Sequence, residues 1–358
     1  MWVYSPLKKE TLEANGDKWT QTAATYVCNG PFKISEINSG ASVVLTKNEN
    51  YWDAANVSLE KLSFRYILDT STALTAYENG EVDGIRSIPS GDLARLKAEN
   101  AGVVVTPNYG TVYYNINCGK EPYNNPKVRK ALALAIDRNA LINNVAQLDA
   151  TPAYSWMAPG YVIDGKDITE GRSDFDLKPT ADPEAAKAAL AEAGYANPAA
   201  FPTIHLSYYS DDNAKKVAEA MAEMLTGNLG VKVEVSSADW AVFYDAVQNG
   251  DYEVAAMGWS ADYVNPMSFL PLLYTDDVAN NLFYSNSNYD ALVDRIRSER
   301  DSAKFAELVK QADETVSVEY PVLPLYYKSN TYLMHNYVSG VYMTSNGNLY
   351  FKKAVVSK

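Results

Sequence analysis

The chain has 358 residues, a length that suits two or three lobes rather than one. Hydrophobic residues make up 47% and charged residues 21%, which is an ordinary globular composition, and no run approaches the ~20 apolar residues of a membrane span. The formal net charge of -13 argues against a nucleic-acid surface, because phosphate binding requires basic patches.

The first 145 residues predict a series of strands and helices. The hairpin turns at Asn38-Ser39-Gly40, and Asn125 and Pro126 begin the long helix. In chain order the pattern predicts a β-hairpin over 30–52, a strand over 61–68, helices over 69–84 and 92–100, a strand over 109–118 and a long helix over 124–145.

Residues 182–260 alternate between helix and strand. The predicted helices are 182–195, 213–230 and 239–250, and the predicted strands are 203–210, 231–238 and 252–260. This alternation is typical of a mostly parallel sheet, in which ligands bind at the carboxyl ends of the strands. Two helices over 288–320 and a strand-rich segment over 321–343 follow.

The stretch "MGWSADYVNPMSFL" (257–270) places a carboxylate just after a buried strand. Asp262 lies two residues past the predicted strand end, with Trp259 before it and Tyr263 after it. One interpretation is a solvated loop aspartate, and the other is a carboxylate that awaits a cation. The position at the carboxyl end of a strand favours the second interpretation.

No catalytic motif is present: the sequence lacks GxGxxG, GxxxxGK[ST], HExxH and GxSxG. His205 and His335 have no local partner pattern and are typical of packing histidines. Cys28 and Cys118 cannot form a zinc site alone, and could be two free thiols or one disulfide. We expect no cofactor and no metal.

Several motifs in order resemble the oligopeptide-binding proteins of ABC importers, which form extracellular solute-binding protein family 5. They include "GDKWTQTA", "NGPFKISEINSGASVVLTKNENYWD", "YYNINCGKEPYNNPKVRKALALAIDRNALI" and "LGVKVEVSSADWAVFYDAVQNGDYEVAAMGWSADYVNPMSFL". The resemblance covers nearly the whole chain. It implies an α/β receptor of the type II periplasmic-binding-protein kind, which is not an enzyme and needs no cofactor.

The same resemblance implies where the protein works and how it is divided. Such receptors act outside the cytoplasmic membrane, as cell-surface lipoproteins or periplasmic proteins, and deliver their ligand to permease subunits. In the family a signal sequence, a first strand and an extra domain precede the segment that matches "SPLKKETLEANGDKWT". We therefore expect a partial receptor without that strand, domain or anchor, in which 1–109 and 329–358 form the first lobe and 110–328 the second.

The resemblance also implies the ligand-binding residues. Asp262 would bind the α-ammonium of an extended peptide from a partly buried position, and the strand "MGWS" would pair with its backbone. The positions at which some relatives bind the ligand carboxylate are Ala146, Ala214 and Ala256 here, so Lys328 or Arg86 would supply the charge unless both are merely surface residues. The expected ligand-binding residues are Asp262, Trp259, Ser260, Tyr263, Trp240, Tyr113, Lys328 and Arg86.

Other interpretations remain open at this point. Trp240 could instead be a core residue of its helix. The ligand could be another solute, such as a nickel chelate, a sugar or a cationic small molecule, and a hydrolase is a weaker alternative. The resemblance places Cys28 and Cys118 at strand ends near each other, and so implies that a disulfide could join them in an oxidising compartment.

Overall fold

A computed structural model describes residues 6–89, 91–169 and 176–358. The chain divides into two compact units: unit 1 comprises Met1–Thr106 and Asn330–Lys358, and unit 2 comprises Pro107–Ser329. The assignment of these units to the lobes of a receptor stays a prediction.

The helices are α1 (Lys9–Asn15), α2 (Thr70–Glu78), α3 (Leu93–Ala98), α4 (Pro126–Leu134), α5 (Arg138–Ala140), α6 (Pro183–Glu192), α7 (Asp212–Leu229), α8 (Trp240–Asn249), α9 (Ser287–Ser298) and α10 (Ser302–Glu319). The strands are β1 (Phe32–Asn38), β2 (Ser42–Lys47), β3 (Lys61–Arg65), β4 (Gly84–Ile85), β5 (Val103–Ile116), β6 (Thr151–Pro152), β7 (Val162–Ile163), β8 (Lys166–Asp167), β9 (Ile204–Tyr209), β10 (Val233–Ala238), β11 (Val254–Ser260), β12 (Val322–Met334), β13 (Val338–Ser339), β14 (Tyr342–Met343), β15 (Leu349–Tyr350) and β16 (Val355–Val356).

Among its described residues, unit 1 contains a small antiparallel sheet and three short helices, α1, α2 and α3. Strands β1, β2 and β3 pair in that order, which confirms the predicted hairpin. Helix α2 is capped by Asp69, whose carboxylate accepts the Thr72 N–H at 2.7 Å. Leu74, Leu96 and Leu333 form the buried cluster of this unit together with Tyr77.

Unit 2 holds a larger sheet in the order β10-β9-β11-β5-β12. Each helix and strand predicted between 182 and 260 is present. The sheet is mixed, however, because β9 pairs in parallel with β10 and β11 whereas β11 pairs with β5 antiparallel. The expectation of a mostly parallel sheet holds only for the strands of the alternating segment, since β5 enters from an earlier, separate part of the chain.

Two apolar clusters form the core of unit 2. Helices α4, α6 and α7 pack in the first cluster with alternate residues of β11, Val254 and Ala256. Helices α9 and α10 pack in the second cluster, which includes Tyr113 of β5. Helices therefore pack against residues of both β11 and β5.

The predicted helix over 124–145 is interrupted, which corrects the expectation of one continuous helix. Helix α4 ends at Leu134, and α5 begins again at Arg138. The Asp137 carboxylate accepts the Ala140 N–H at 2.8 Å, so this residue caps a second helical segment. Periodicity alone missed the break because both segments bury the same apolar face.

The Arg138 guanidinium is buried at this break and is 1% exposed. It donates to four backbone carbonyls at 2.8–3.2 Å, those of Ala133, Ile136, Ala153 and Pro324. Burial lowers the pKa of Arg138 to about 10, so the group stays protonated at neutral pH. The cation therefore joins the α4–α5 break to two other segments of unit 2.

Replacing Arg138 with Lys tests this role. An ammonium presents its donors at one point and cannot reach carbonyls on several sides, so Arg138→Lys should lower the free energy of unfolding by about 2–4 kcal/mol. Urea titration measures the loss. Arg95 is an exposed arginine with carboxylate partners, and Arg95→Lys should leave the free energy of unfolding nearly unchanged. Equal effects of the two changes would contradict the assignment.

The two cysteines are free thiols, so the expectation of a disulfide is wrong. The Cys28 thiol donates to the Phe32 carbonyl at 3.4 Å within unit 1, and the Cys118 thiol to the Ile116 carbonyl at 3.5 Å within unit 2. Burial raises the pKa of Cys118 to about 11, which keeps this thiol protonated and unreactive at neutral pH. Each thiol thus has a local partner in its own unit.

Candidate functional site

One edge of β11 is open beyond its first two residues. On one side, β11 pairs with β5 from Val254 opposite Ile116 to Ser260 opposite Gly110. On the other side, it pairs with β9 only at Val254 and Ala255. From residue 256 to Ser260, no strand of the described chain covers the edge that faces β9.

The backbone groups on the open edge can be identified from the pairing. The Ala261 N–H donates to the Tyr109 carbonyl at 2.8 Å, so the backbone of Ala261 points towards β5. Because successive residues of a strand point to opposite sides, the N–H and C=O groups of Gly258 and Ser260 face the open edge. These groups could pair with the backbone of an extended ligand.

The loop that follows β11 is fixed by side-chain hydrogen bonds. The Trp259 indole N–H donates to the Ser268 carbonyl at 2.8 Å, and the Ser268 hydroxyl accepts the Asp262 N–H at 2.8 Å. The Asn265 side chain accepts the Met267 N–H at 2.9 Å and starts a short helical turn. Trp259 and Ser268 therefore hold Asp262 at a defined position just past the strand.

Asp262 is exposed, which corrects the expectation of a partly buried carboxylate. The reason is local: the chain leaves the sheet after the buried Ala261, and Tyr263 beside it is itself 40% exposed. Burial, and secondarily the Asp262 charge, raises the pKa of the Tyr263 phenol. Throughout the described ranges, no lysine, arginine or histidine forms an ion pair with Asp262.

Lys328 of β12 and Ser260 of β11 lie side by side, although 68 residues separate them in the chain. The Lys328 ammonium donates to the Ser260 hydroxyl at 3.2 Å. Burial lowers the pKa of Lys328, because its charge has lost part of its hydration. In the parts of the chain that the structure describes, Lys328 has no ion-pair partner.

An aromatic surface lies at the carboxyl ends of the two neighbouring strands. Trp240 follows β10, is 53% exposed and stacks on Tyr244 with ring centroids 5.2 Å apart. Tyr209 ends β9 and meets Trp240 edge-on at 5.4 Å. Trp240 is therefore a half-exposed aromatic residue at the strand ends, rather than the core residue of the alternative interpretation.

The remaining two expected site residues lie elsewhere. Tyr113 is 4% exposed and packs edge-on against Trp156 at 4.7 Å, and burial raises the pKa of its phenol. Arg86 belongs to unit 1, where it is exposed and borders a cavity of about 830 Å³. The structure thus brings Ser260 and Lys328 into contact, ties Trp259 of β11 to the loop that carries Asp262, and leaves Tyr113 in the core of unit 2.

Sequence reasoning missed two glycines that shape this site. A Cβ atom on Gly110 would lie 2.7 Å from the Ser260 hydroxyl oxygen and 2.9 Å from the Trp259 carbonyl oxygen. A Cβ atom on Gly258 would lie 3.4 Å from the Lys328 ammonium. A glycine inside a strand often marks the close approach of another group, and that signal is present in both strands.

The family was decided by comparison with known proteins. Residues 2–281 match the sequence profile of the bacterial extracellular solute-binding proteins, family 5 middle. The chain belongs to this family. Its members are solute-binding proteins and not enzymes, so the hydrolase interpretation is set aside.

Relatives and solved structures support the assignment. The oligopeptide-binding protein OppA of Bacillus subtilis (strain 168) is 33% identical over 361 residues, which cover 99% of this chain and 65% of that protein. The crystal structure of Haemophilus influenzae OppA in complex with RPPGFSPFR superposes with a TM-score of 0.78 at 28% identity, covering 99% of this chain and 69% of that one. The chain therefore spans about two thirds of the length of these relatives, and shares their mixed α/β fold over that part.

Family members differ in what they are named for. The probable deoxycholate-binding periplasmic protein YgiS of Escherichia coli (strain K12) is 29% identical over 339 residues, which cover 94% of this chain and 62% of that protein. Within its described ranges, the protein studied here has no group of three or more His, Cys, Asp or Glu side chains arranged to bind a metal. No helix in those ranges has the length and apolar character that crossing a bilayer requires.

The environment of Lys328 generates a prediction about stability. Since its pKa is lower in the folded chain than the ordinary 10.5, the unfolded chain binds the proton more tightly, and the charged group opposes folding. Lys328→Met should therefore raise the free energy of unfolding by about 0.5–2 kcal/mol at neutral pH. The gain in the free energy of unfolding should be complete at pH values below the lowered pKa of Lys328. It should disappear as the pH rises through the pKa of a lysine in the unfolded chain.

Thermal unfolding of both forms between pH 7 and about 10.5 measures this difference. Lys187 is exposed and provides the control, because Lys187→Met should leave the stability nearly unchanged at every pH. A loss of stability in Lys328→Met at neutral pH would show that the ammonium is a structural contact instead.

Proposed function

We propose that this protein is the extracytoplasmic receptor of an ABC importer and binds oligopeptides in an extended form. The observation that supports this most directly is the open edge of β11, which runs from residue 256 to Ser260 and leads to the exposed carboxylate of Asp262. Backbone recognition at one edge and charge recognition at its end fit a ligand with a peptide backbone and a free amino group.

The open edge supplies recognition that does not depend on side chains. The N–H and C=O groups of Gly258 and Ser260 face away from β5, as the Ala261 to Tyr109 hydrogen bond requires. A peptide added as a strand here would form main-chain hydrogen bonds whatever its sequence. This property suits a receptor that accepts many peptides.

Asp262 supplies recognition of the amino end. It lies two residues beyond β11, carries no protein cation in the described part of the chain, and is held by the Ser268 hydroxyl through its N–H. A ligand ammonium would pair with this carboxylate, and the charge-assisted hydrogen bond would offset part of the hydration free energy that the ammonium loses on binding. Because Asp262 is exposed before binding, the carboxylate itself is desolvated only when the ligand covers it.

The aromatic surface supplies contacts for side chains. Trp240 and Tyr244 are stacked at the carboxyl end of the neighbouring strands, and Trp240 keeps half of its surface exposed. Such rings bury large areas of ligand at low entropic cost. Tyr263, 40% exposed beside Asp262, would contact the first residues of the ligand.

The partners and location follow from the same proposal. The ligand would pass to permease subunits of the importer, outside the cytoplasmic membrane, as in a periplasmic or cell-surface receptor. We propose no cofactor and no nucleic-acid partner. A relative named for deoxycholate keeps a second candidate open: the exposed Trp240 ring would also suit an amphipathic non-peptide ligand.

Calorimetric titration of Asp262→Asn with a free-amine peptide tests the proposal. Removing the carboxylate should weaken binding by about 1.5–3 kcal/mol, the range for hydrogen bonds to charged groups. The same peptide with an acetylated amino end should bind wild type weakly and be nearly insensitive to the substitution.

Asp276 offers a matched control, because it is an exposed aspartate in the same unit. Asp276→Asn should bind the free-amine peptide like wild type. If the free and acetylated peptides bind wild type equally well, Asp262 does not bind the amino group of the peptide. If neither peptide binds while a bile acid does, the second candidate replaces the first.

A further inference from the structure

We infer that Lys328 and Ser260 form an anion-binding subsite on β11, which selects ligands carrying a carboxylate within a few residues of their amino end. The inference rests on the proposed function and names the class of peptide that this receptor favours. Its carboxylate could be a side chain of the ligand or the carboxyl end of a short peptide.

The Lys328 ammonium has N–H donors that the described residues do not engage. An ammonium carries three N–H groups, and the described contact is a single hydrogen bond to the Ser260 hydroxyl oxygen at 3.2 Å. Because that oxygen accepts from Lys328, the hydroxyl proton of Ser260 is free to be donated elsewhere. The pair thus offers a charge and a neutral donor to the same anion.

Other buried cations of unit 2 are satisfied differently. Arg138 donates to four carbonyls, and Arg129 donates to the carbonyls of Tyr123, Asn124 and Glu319 at 2.8–3.1 Å. Those cations are covered by backbone and serve the fold. Among the described residues, Lys328 has one hydroxyl partner, and a partly buried charge left in this state lowers stability unless a ligand supplies the counter-charge.

Two glycines keep the subsite open. At Gly258 a methyl group would lie 3.4 Å from the ammonium nitrogen and 3.6 Å from the Lys328 Cε carbon, so it would cover this side of the charge. At Gly110 a Cβ atom would lie 2.7 Å from the Ser260 hydroxyl oxygen, closer than nonbonded atoms approach. The absence of both side chains allows the Lys328–Ser260 pair to form and to be reached.

The position along β11 sets the spacing of the ligand charges. Ser260 precedes Asp262 by two residues and Gly258 by four, and a strand rises about 3.3 Å per residue. The subsite therefore lies roughly 7–13 Å from Asp262 along the strand. An extended peptide with its ammonium at Asp262 would reach it with the third to fifth residue.

Titration with matched peptides tests the inference. The probes are amidated pentapeptides of alanine with a free amino end and either Glu or Gln at the third or fourth position, and trialanine with a free or amidated carboxyl end. Wild type should bind at least one acidic member of these pairs about tenfold more tightly than its neutral partner. A preference among the pentapeptides identifies a side-chain carboxylate, and a preference for free trialanine identifies the terminal one.

The variants assign the preference to the subsite. Lys328→Met should reduce the ratio of the two affinities to about one, Ser260→Ala should reduce it partly, and Gly258→Ala should reduce it with the charge still present. Lys187→Met, which removes an exposed lysine, should keep the full ratio.

The outcomes separate this inference from the proposed function. If peptides bind but each acidic and neutral pair binds wild type equally, the subsite is overturned and the peptide receptor stands. If the preference persists in Lys328→Met, the anion is bound elsewhere and the inference is wrong. If no free-amine peptide binds at all, both the subsite and the peptide receptor are overturned.

Discussion

The pairing of β11 with β5 is the constraint on which the site depends. Seven consecutive residues of β11, from Val254 to Ser260, oppose β5. This fixes which side chains face each helix layer and which backbone groups face the other edge. The parallel partner β9 leaves β11 after Ala255, and the sheet therefore has a firmly held strand with one free edge near its carboxyl end. In open α/β sheets, ligands bind in the crevice outside the carboxyl ends of the strands.

Cations in unit 2 serve two different purposes. Arg138 lies in the core and satisfies carbonyls of separate segments, so its charge contributes to the fold. Lys328 lies near the open end of the sheet with one hydroxyl partner, and its lowered pKa reflects hydration that nothing in the described chain replaces. A charge that opposes folding and remains reachable is typical of a binding site, where stability is lower than it could be.

Much of the secondary structure could be predicted from local signals. The hairpin around Gly40, the cap at Asp69 and the helix after Asn125 all depend on residues close in sequence, and the structure confirms each of them. The break after Leu134 was missed, because the Asp137 cap competes with an unbroken apolar period. The position of Asp262 after a buried strand was also predictable, since the apolar run ends two residues earlier.

The candidate site itself was predictable only in part, because it depends on long-range pairing. Lys328 and Ser260 are in contact although 68 residues separate them in the sequence, and no local pattern predicts that contact. The exposure of Asp262 follows from how the loop turns after Ala261. The resemblance to peptide receptors supplied a set of expected site residues, but it could not supply the register that leaves the β11 edge open.

The most direct test of this account is a crystal structure of the protein with a bound free-amine peptide. The account predicts main-chain hydrogen bonds between the peptide and the open edge of β11 at Gly258 and Ser260. The peptide ammonium nitrogen should lie within about 3 Å of an Asp262 carboxylate oxygen, the distance of a charge-assisted hydrogen bond. A peptide bound away from β11, or one running with its amino end away from Asp262, would contradict it.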